Sequence, residues 1–153
     1  MTTIAWDGDV LAADNCVWRG SIRVRTLKCR PILIDGMVHL IAGCGDATFC
    51  EDAMAYLAGT GPKPAAPDGE KGNVWGLLID PDNQAWRLDM TMRRHKVYES
   101  FSSDGAGRDM ALGALAVGAT AKQAVEVCCE YSDYAAFGVT AYRLRNGKAE
   151  LVC

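Results

Sequence analysis

The order of elements in this chain is strands, one helix, strands, two helices, strands, which predicts a layered α+β domain built on antiparallel sheets. Three observations carry that prediction. Apolar runs of strand length are joined by Asp7-Gly8, Asp35-Gly36 and Asn146-Gly147, dipeptides that supply the positive φ of a tight hairpin. Helical three-to-four spacing of apolar residues occurs after Asp46, after Arg108 and after Thr120. Finally, 153 residues, half of them apolar, make about one domain with a sizeable core, so residues 1–153 read as a single unit.

Thr2 to Trp6 and Val10 to Asp14 read as the first hairpin, which makes Thr2 a strand end. Ile22 to Ile34 alternates imperfectly and leads through Asp35-Gly36 into Met37 to Ala42, giving a second hairpin with Lys28 in mid-strand. Asp46 is an N-cap residue, and Phe49, Ala53, Met54, Tyr56 and Leu57 form an apolar stripe until Gly59 stops the helix. Residues 61–69 (Gly-Pro-Lys-Pro-Ala-Ala-Pro-Asp-Gly) cannot continue a helix and form a surface loop. Val74 to Ile79 and Ala85 to Leu88 flank Asp80-Pro81-Asp82-Asn83 as a hairpin, and Val97 to Phe101 adds a strand to this antiparallel meander. Arg108 to Val117 and Thr120 to Tyr131 are helices broken at Gly118-Ala119, the second with a Thr cap. Phe137 to Arg145 and Ala149 to Val152 close the chain as a hairpin about Asn146-Gly147.

Net charge is −3 with a pI near 5.3, and the basic residues are dispersed apart from Arg93-Arg94-His95-Lys96, which reads as a solvated strand entrance. No basic face for nucleic acid is expected. There is no apolar run of spanning length and no signal-peptide pattern, so no membrane partner and a cytoplasmic location are expected. The seven cysteines contain no C-x-x-C and meet only two histidines, His39 and His95. That spacing argues against a metal site and against disulfides; no metal or other cofactor is expected, and most of the thiols are small core residues.

Removal of Met1 would leave Thr2 carrying both a hydroxyl and a free α-amine. An α-amine with a pKa of roughly 7.7 to 8.0 accepts the hydroxyl proton near neutrality, so this one residue is a complete nucleophile and base. Three segments follow in order: Leu11-Ala12-Ala13-Asp14-Asn15, Thr26-Leu27-Lys28-Cys29-Arg30, and Leu40-Ile41-Ala42-Gly43-Cys44-Gly45-Asp46. With Gly105-Ala106-Gly107-Arg108-Asp109-Met110-Ala111-Leu112-Gly113-Ala114-Leu115 and the amphipathic stretch after it, they cover almost the whole chain. In these motifs the chain resembles proteasome β subunits, and more closely the HslV-like and small proteasome-like proteins of bacteria and phages.

That resemblance implies a four-layer αββα sandwich, two antiparallel sheets between helical layers, of the N-terminal nucleophile hydrolase type. It implies Thr2 as nucleophile, Lys28 as the cation that favours the neutral amine and the developing alkoxide, and Asp14 as the carboxylate that keeps Lys28 charged and oriented. Gly43 matches the glycine whose N–H faces the oxyanion, and Asp133 the second acid, which orients the terminal amine. Two departures stand out. Ala106 replaces the serine of the family's Gly-Ser-Gly, and Ala136 replaces a hydroxyl residue after the second acid, so both hydroxyls usually found around the amine are missing. Val17, Thr26, Ile41 and Ala47 are the residues expected to form a modest apolar substrate pocket.

Three functions remain open at this point. The first is a threonine-type endopeptidase cleaving unfolded polypeptide inside a homo-oligomeric ring, with an ATP-dependent unfoldase as partner. The second is an amidohydrolase that uses Thr2 on a small amide without a chamber. The third is a catalytically inactive ring component that serves a structural or partner-binding role.

Overall fold

A computed structural model describes residues 1–153. The first hairpin pairs β1 (Thr3–Trp6) with β2 (Val10–Asp14) through Asp7-Gly8, and the Asp7 carboxylate accepts from the N–H groups of Asp9 and Val10. A short pair, β3 (Cys16–Arg19) with β4 (Ile22–Arg25), comes next and stands apart as its own two-stranded sheet. Then β5 (Cys29–Ile34) and β6 (Met37–Gly43) turn at Asp35 and Gly36, both at positive φ. Helix α1 (Ala47–Leu57) begins at Asp46, whose carboxylate caps the Phe49 N–H at 2.8 Å.

After the loop come β7 (Val74–Ile79), β8 (Ala85–Asp89), β9 (Arg94–Lys96) and β10 (Ser102–Gly105). Helices α2 (Arg108–Ala116) and α3 (Ala121–Tyr131) follow, the latter opened by a capping box between Thr120 and Gln123. The hairpin β11 (Val139–Arg145) and β12 (Lys148–Leu151) ends the chain, turning at Asn146 and Gly147. One five-stranded sheet runs β10-β1-β2-β11-β12, and the other runs β5-β6-β7-β8-β9.

Period-two alternation sorts the strand residues. Ile4, Trp6, Leu11 and Ala13 from the first sheet meet Leu40, Ala42, Leu77 and Ile79 from the second in the cluster between the sheets. The opposite faces take Ala5, Val10 and Ala12 to α2 and α3, and Ile41, Trp75 and Leu78 to α1. Most of these side chains are wholly buried, and each large one stabilises the fold by about 1.5 to 3 kcal/mol relative to exposure.

The expected four-layer αββα sandwich is corrected by this structure, which is mostly β: three antiparallel sheets with 39% strand against 20% helix. The helices are patches and do not make layers, one of eleven residues on one sheet and two of nine and eleven on the other. The cause is local chemistry. Residues 58–73, which follow α1, hold Pro62, Pro64 and Pro67, which lack the helical N–H donor, and Gly59, Gly61, Gly69 and Gly72, which disfavour a helix, so no second helix forms beside α1.

Two strand assignments also change. The stretch Ile22 to Ile34 is broken, because β4 belongs to the small sheet and β5 to the large one; Thr26, Leu27 and Lys28 form the crossing. Val97 to Phe101 is irregular, with Val97 buried at the end of β9 and Tyr98 85% exposed, while the strand pairing falls to Arg94–Lys96 and Ser102–Gly105. No helix is long and apolar enough to cross a membrane.

Candidate functional site

The N-terminal strand brings Thr2 to the end of β1, where three separate segments close around it. Asp14 ends β2 and is fully buried. Its Oδ1 accepts from the Thr3 N–H at 2.8 Å and its Oδ2 from the Cys16 N–H at 3.1 Å. The Lys28 Nζ donates to both oxygens at 3.1 Å and to the carbonyl of Met1 at 3.0 Å. Two backbone donors and one ammonium therefore hold the carboxylate, which in turn fixes the lysine head. Burial pulls the Lys28 pKa below its ordinary value, and the Asp14 charge and hydrogen bond offset part of that.

Leaving strand geometry at Thr26–Lys28 is what lets Lys28 reach inward. Thr26 donates to the Asn15 carbonyl at 2.8 Å, and the Lys28 carbonyl accepts from the Gly43 N–H at 3.2 Å, so the crossing is pinned on both sides. The same bond has a chemical consequence: the Gly43 N–H, the expected oxyanion donor, is engaged inside the sheet. Gly45, two residues on and at φ +91°, makes no backbone hydrogen bond through its N–H and lines the same cleft. The signal for it was the Gly-x-Gly spacing at 43 and 45 just before the Asp46 cap.

Thr2 itself is 4% exposed, and its side chain makes no hydrogen bond. It lines a cleft of about 40 Å³, room for a water or two, with Val17, Thr26, Lys28 and Ala47. Of the four residues expected to form a substrate pocket, Val17, Thr26 and Ala47 are there. Ile41 is not: its side chain is wholly buried in the cluster beneath α1, because alternation along β6 sends Leu40 and Ala42 one way and Ile41 the other. Cys50 and Met54 of α1 also line it, and their three- and seven-residue spacing from Ala47 is a signal that the apolar stripe read from Phe49 to Leu57 did not use.

The two glycines about Ala106 are used for close approach. A Cβ on Gly105, at φ +92°, would lie 2.3 Å from the Thr2 carbonyl oxygen, and one on Gly107 would lie 2.0 Å from the Thr3 Oγ1. Gly107 donates its N–H to the Thr2 carbonyl at 3.3 Å. Ala106 sits in the turn between β10 and α2. Asp133 is exposed after α3 and makes no hydrogen bond or ion pair, so nothing joins it to Thr2. Ala136 lies nearer, its carbonyl accepting from the Asn15 N–H at 3.2 Å beside Asp14.

The seven cysteines are free, and no group of three or more His, Cys, Asp or Glu is placed to hold a metal ion. Burial pushes the thiols of Cys44 and Cys50 up to about 12 and that of Cys129 to about 11, which disfavours the thiolate form of these three. The arrangement sets the Thr2 side chain and a fixed ammonium in the wall of one cleft. No protein-family model matches the chain and no curated protein matches it.

Proposed function

We propose that the chain is a threonine-type endopeptidase, with Thr2 as its nucleophile once Met1 has been removed. The observation that carries this reading is the Lys28 ammonium, held by buried Asp14 and donating to the carbonyl that directly precedes Thr2. With Met1 gone, that donor loses its acceptor and faces the freed amine and hydroxyl of Thr2. The adjacent cationic charge favours the neutral amine, which takes the proton from Oγ1 as Oγ1 attacks the scissile carbonyl. The Gly45 N–H is the donor available to the resulting oxyanion; such a donor is worth about 2.7 to 4 kcal/mol in the transition state. Collapse breaks the C–N bond, the Thr2 α-ammonium returns its proton to the leaving amine, and water, deprotonated by the Thr2 α-amine, hydrolyses the ester and restores the Thr2 hydroxyl.

Met1 lies on the rim of this cleft, in a depression that shares Val17, Gly45 and Ala47 with it, so its loss enlarges a space now too small for a side chain. Unfolded polypeptide as substrate, a homo-oligomeric ring, an ATP-dependent unfoldase and a cytoplasmic location belong to the same proposal. A peptide epoxyketone tests it on protein whose intact mass lacks Met1: one adduct per subunit at Thr2 is expected, with hydrolysis of a fluorogenic peptide. Labelling at a cysteine, or none at all, overturns it. The exposed, unattached Asp133 and the alanines at 106 and 136 favour the second reading, an inactive ring component, which predicts correct Met1 removal and assembly without labelling or turnover.

A further inference from the structure

An open hollow of about 620 Å³ lies away from Thr2, between the end of α1, the loop 58–73 and the turn from β8 to β9. Three cations line it: Lys63 and Lys71 from the loop and Arg93 from the turn. None of the three forms an ion pair. The one carboxylate in the wall, Asp89, is already engaged. It accepts from the N–H of Thr91 at 2.8 Å, the hydroxyl of Thr91 at 2.6 Å, the N–H of Arg93 at 3.2 Å and the His95 Nε2 at 2.7 Å. Burial works against its charge, but these bonds outweigh it and hold the Asp89 carboxyl at about 2.

The frame around the cations is built. Asp89 fixes a turn in which Met92 takes φ +68°, a conformation uncommon for a non-glycine residue and held here by the Met92 N–H to Asp89 carbonyl bond at 2.9 Å. Asn73 anchors the loop to that turn, its carbonyl accepting from the Met90 N–H at 3.0 Å, and Ala66 packs with Met92 against the cluster under α1. Lys63 and Lys71 are therefore carried on a segment tied down between them and beyond. The N–H groups of Lys71 and Gly72 make no hydrogen bond within the chain, adding backbone donors where Gly72 lines the wall. Lys63, Lys71 and Arg93 are exposed along this one hollow, and successive free amides beside cations are donors suited to an anion. The volume is that of a small-molecule site, and the Tyr56 ring and Met92 give it an apolar side.

We infer that this cavity binds a small molecule carrying two or more phosphate groups. Three cations against one fully committed carboxylate exceed what a single carboxylate ligand would need, and a polyphosphate chain spans donors contributed from the two sides of the cavity. The inference is independent of the chemistry at Thr2.

The test is calorimetric titration of the whole chain with inorganic tripolyphosphate at low and at raised salt. Saturable binding at one site per chain is expected, weakening as salt screens the charges. Lys63→Gln/Lys71→Gln/Arg93→Gln should abolish it, and Arg93→Gln alone should weaken it about tenfold or more. A control that neutralises three exposed cations elsewhere, Arg19→Gln/Arg23→Gln/Lys148→Gln, should bind as wild type does. Circular dichroism and melting of each variant identify any that has unfolded, in which case the single Arg93 variant decides. No saturable binding by wild type, undiminished binding by Arg93→Gln, or equal loss in the control would overturn the inference.

Discussion

At the scale of single residues, the decisive fact is that Lys28 and Asp14 are both buried and mutually satisfied beside Thr2. Truncating one partner of a buried pair leaves the other charge unpaired, which costs about 3 to 5 kcal/mol. Asp14 retains two backbone donors, so Lys28→Ala is expected near the lower end, about 3 kcal/mol by urea denaturation. Under the proposed mechanism the same variant loses peptide hydrolysis, and Lys28→Arg, which keeps the charge, recovers stability better than turnover. Wild-type turnover in a folded Lys28→Ala would remove the mechanism. That Asp14 and Lys28 pair was legible in the sequence because each is a charged residue type at a motif position. The Gly43 donor was not, since a backbone N–H is claimed by strand pairing that only the fold sets, and here the Lys28 carbonyl claims it.

At the scale of elements, hairpins and helices were readable wherever a local signal ended them. Asp46 and Thr120 cap their helices through their own side chains, and Asp35-Gly36 and Asn146-Gly147 turn at positive φ as their chemistry requires. Elements whose ends depend on a distant partner were not readable: Thr26–Lys28 leaves strand geometry because the flanking strands join different sheets. The approach of β10 to β1 belongs to this class and makes a sharp prediction. Gly105→Ala would force a methyl to 2.3 Å from the Thr2 carbonyl at a φ of +92°, so a loss of about 2 kcal/mol or more in stability is expected, together with loss of Thr2 labelling.

The turn from β8 to β9 gives a pH dependence. The Asp89 carboxyl is held at about 2 against an ordinary 3.8, so its contribution is present above pH 4 and is lost as pH falls toward 2. Asp89→Asn should therefore destabilise at pH 6 by on the order of 1 kcal/mol, and the gap to wild type should close as pH is lowered toward 2.5 in urea melts. A gap that is constant with pH would show that the carboxylate's charge is not what the turn uses.

At the scale of the whole molecule, the apolar runs and hairpin turns that build the two large sheets were visible in sequence, but how much helix would cover them was not. The Gly- and Pro-rich run after α1 reads as a loop, and a loop there is incompatible with a full helical layer; the resemblance supplied the layer and the residues did not. What the outer surface does show is exposed apolar side chains on the small sheet, Ile22 at 62%, and on the β5–β6 hairpin, Leu33 at 59% and Met37 at 55%. A symmetric assembly is one way to cover exposed apolar side chains. The proposed ring therefore predicts that the chain sediments as a multiple of its 16.5 kDa mass. Charges placed at these three exposed positions should disperse the assembly without touching the Thr2 cleft, because none of the three residues lines it. In sedimentation velocity, Ile22→Glu/Leu33→Glu/Met37→Glu is expected to run as a folded monomer. If Thr2 is labelled in that monomer while digestion of an unfolded protein falls away, the chamber and the chemistry are separate contributions of one chain. A wild type that sediments as a monomer at every concentration would remove the ring and leave the nucleophile to be judged alone.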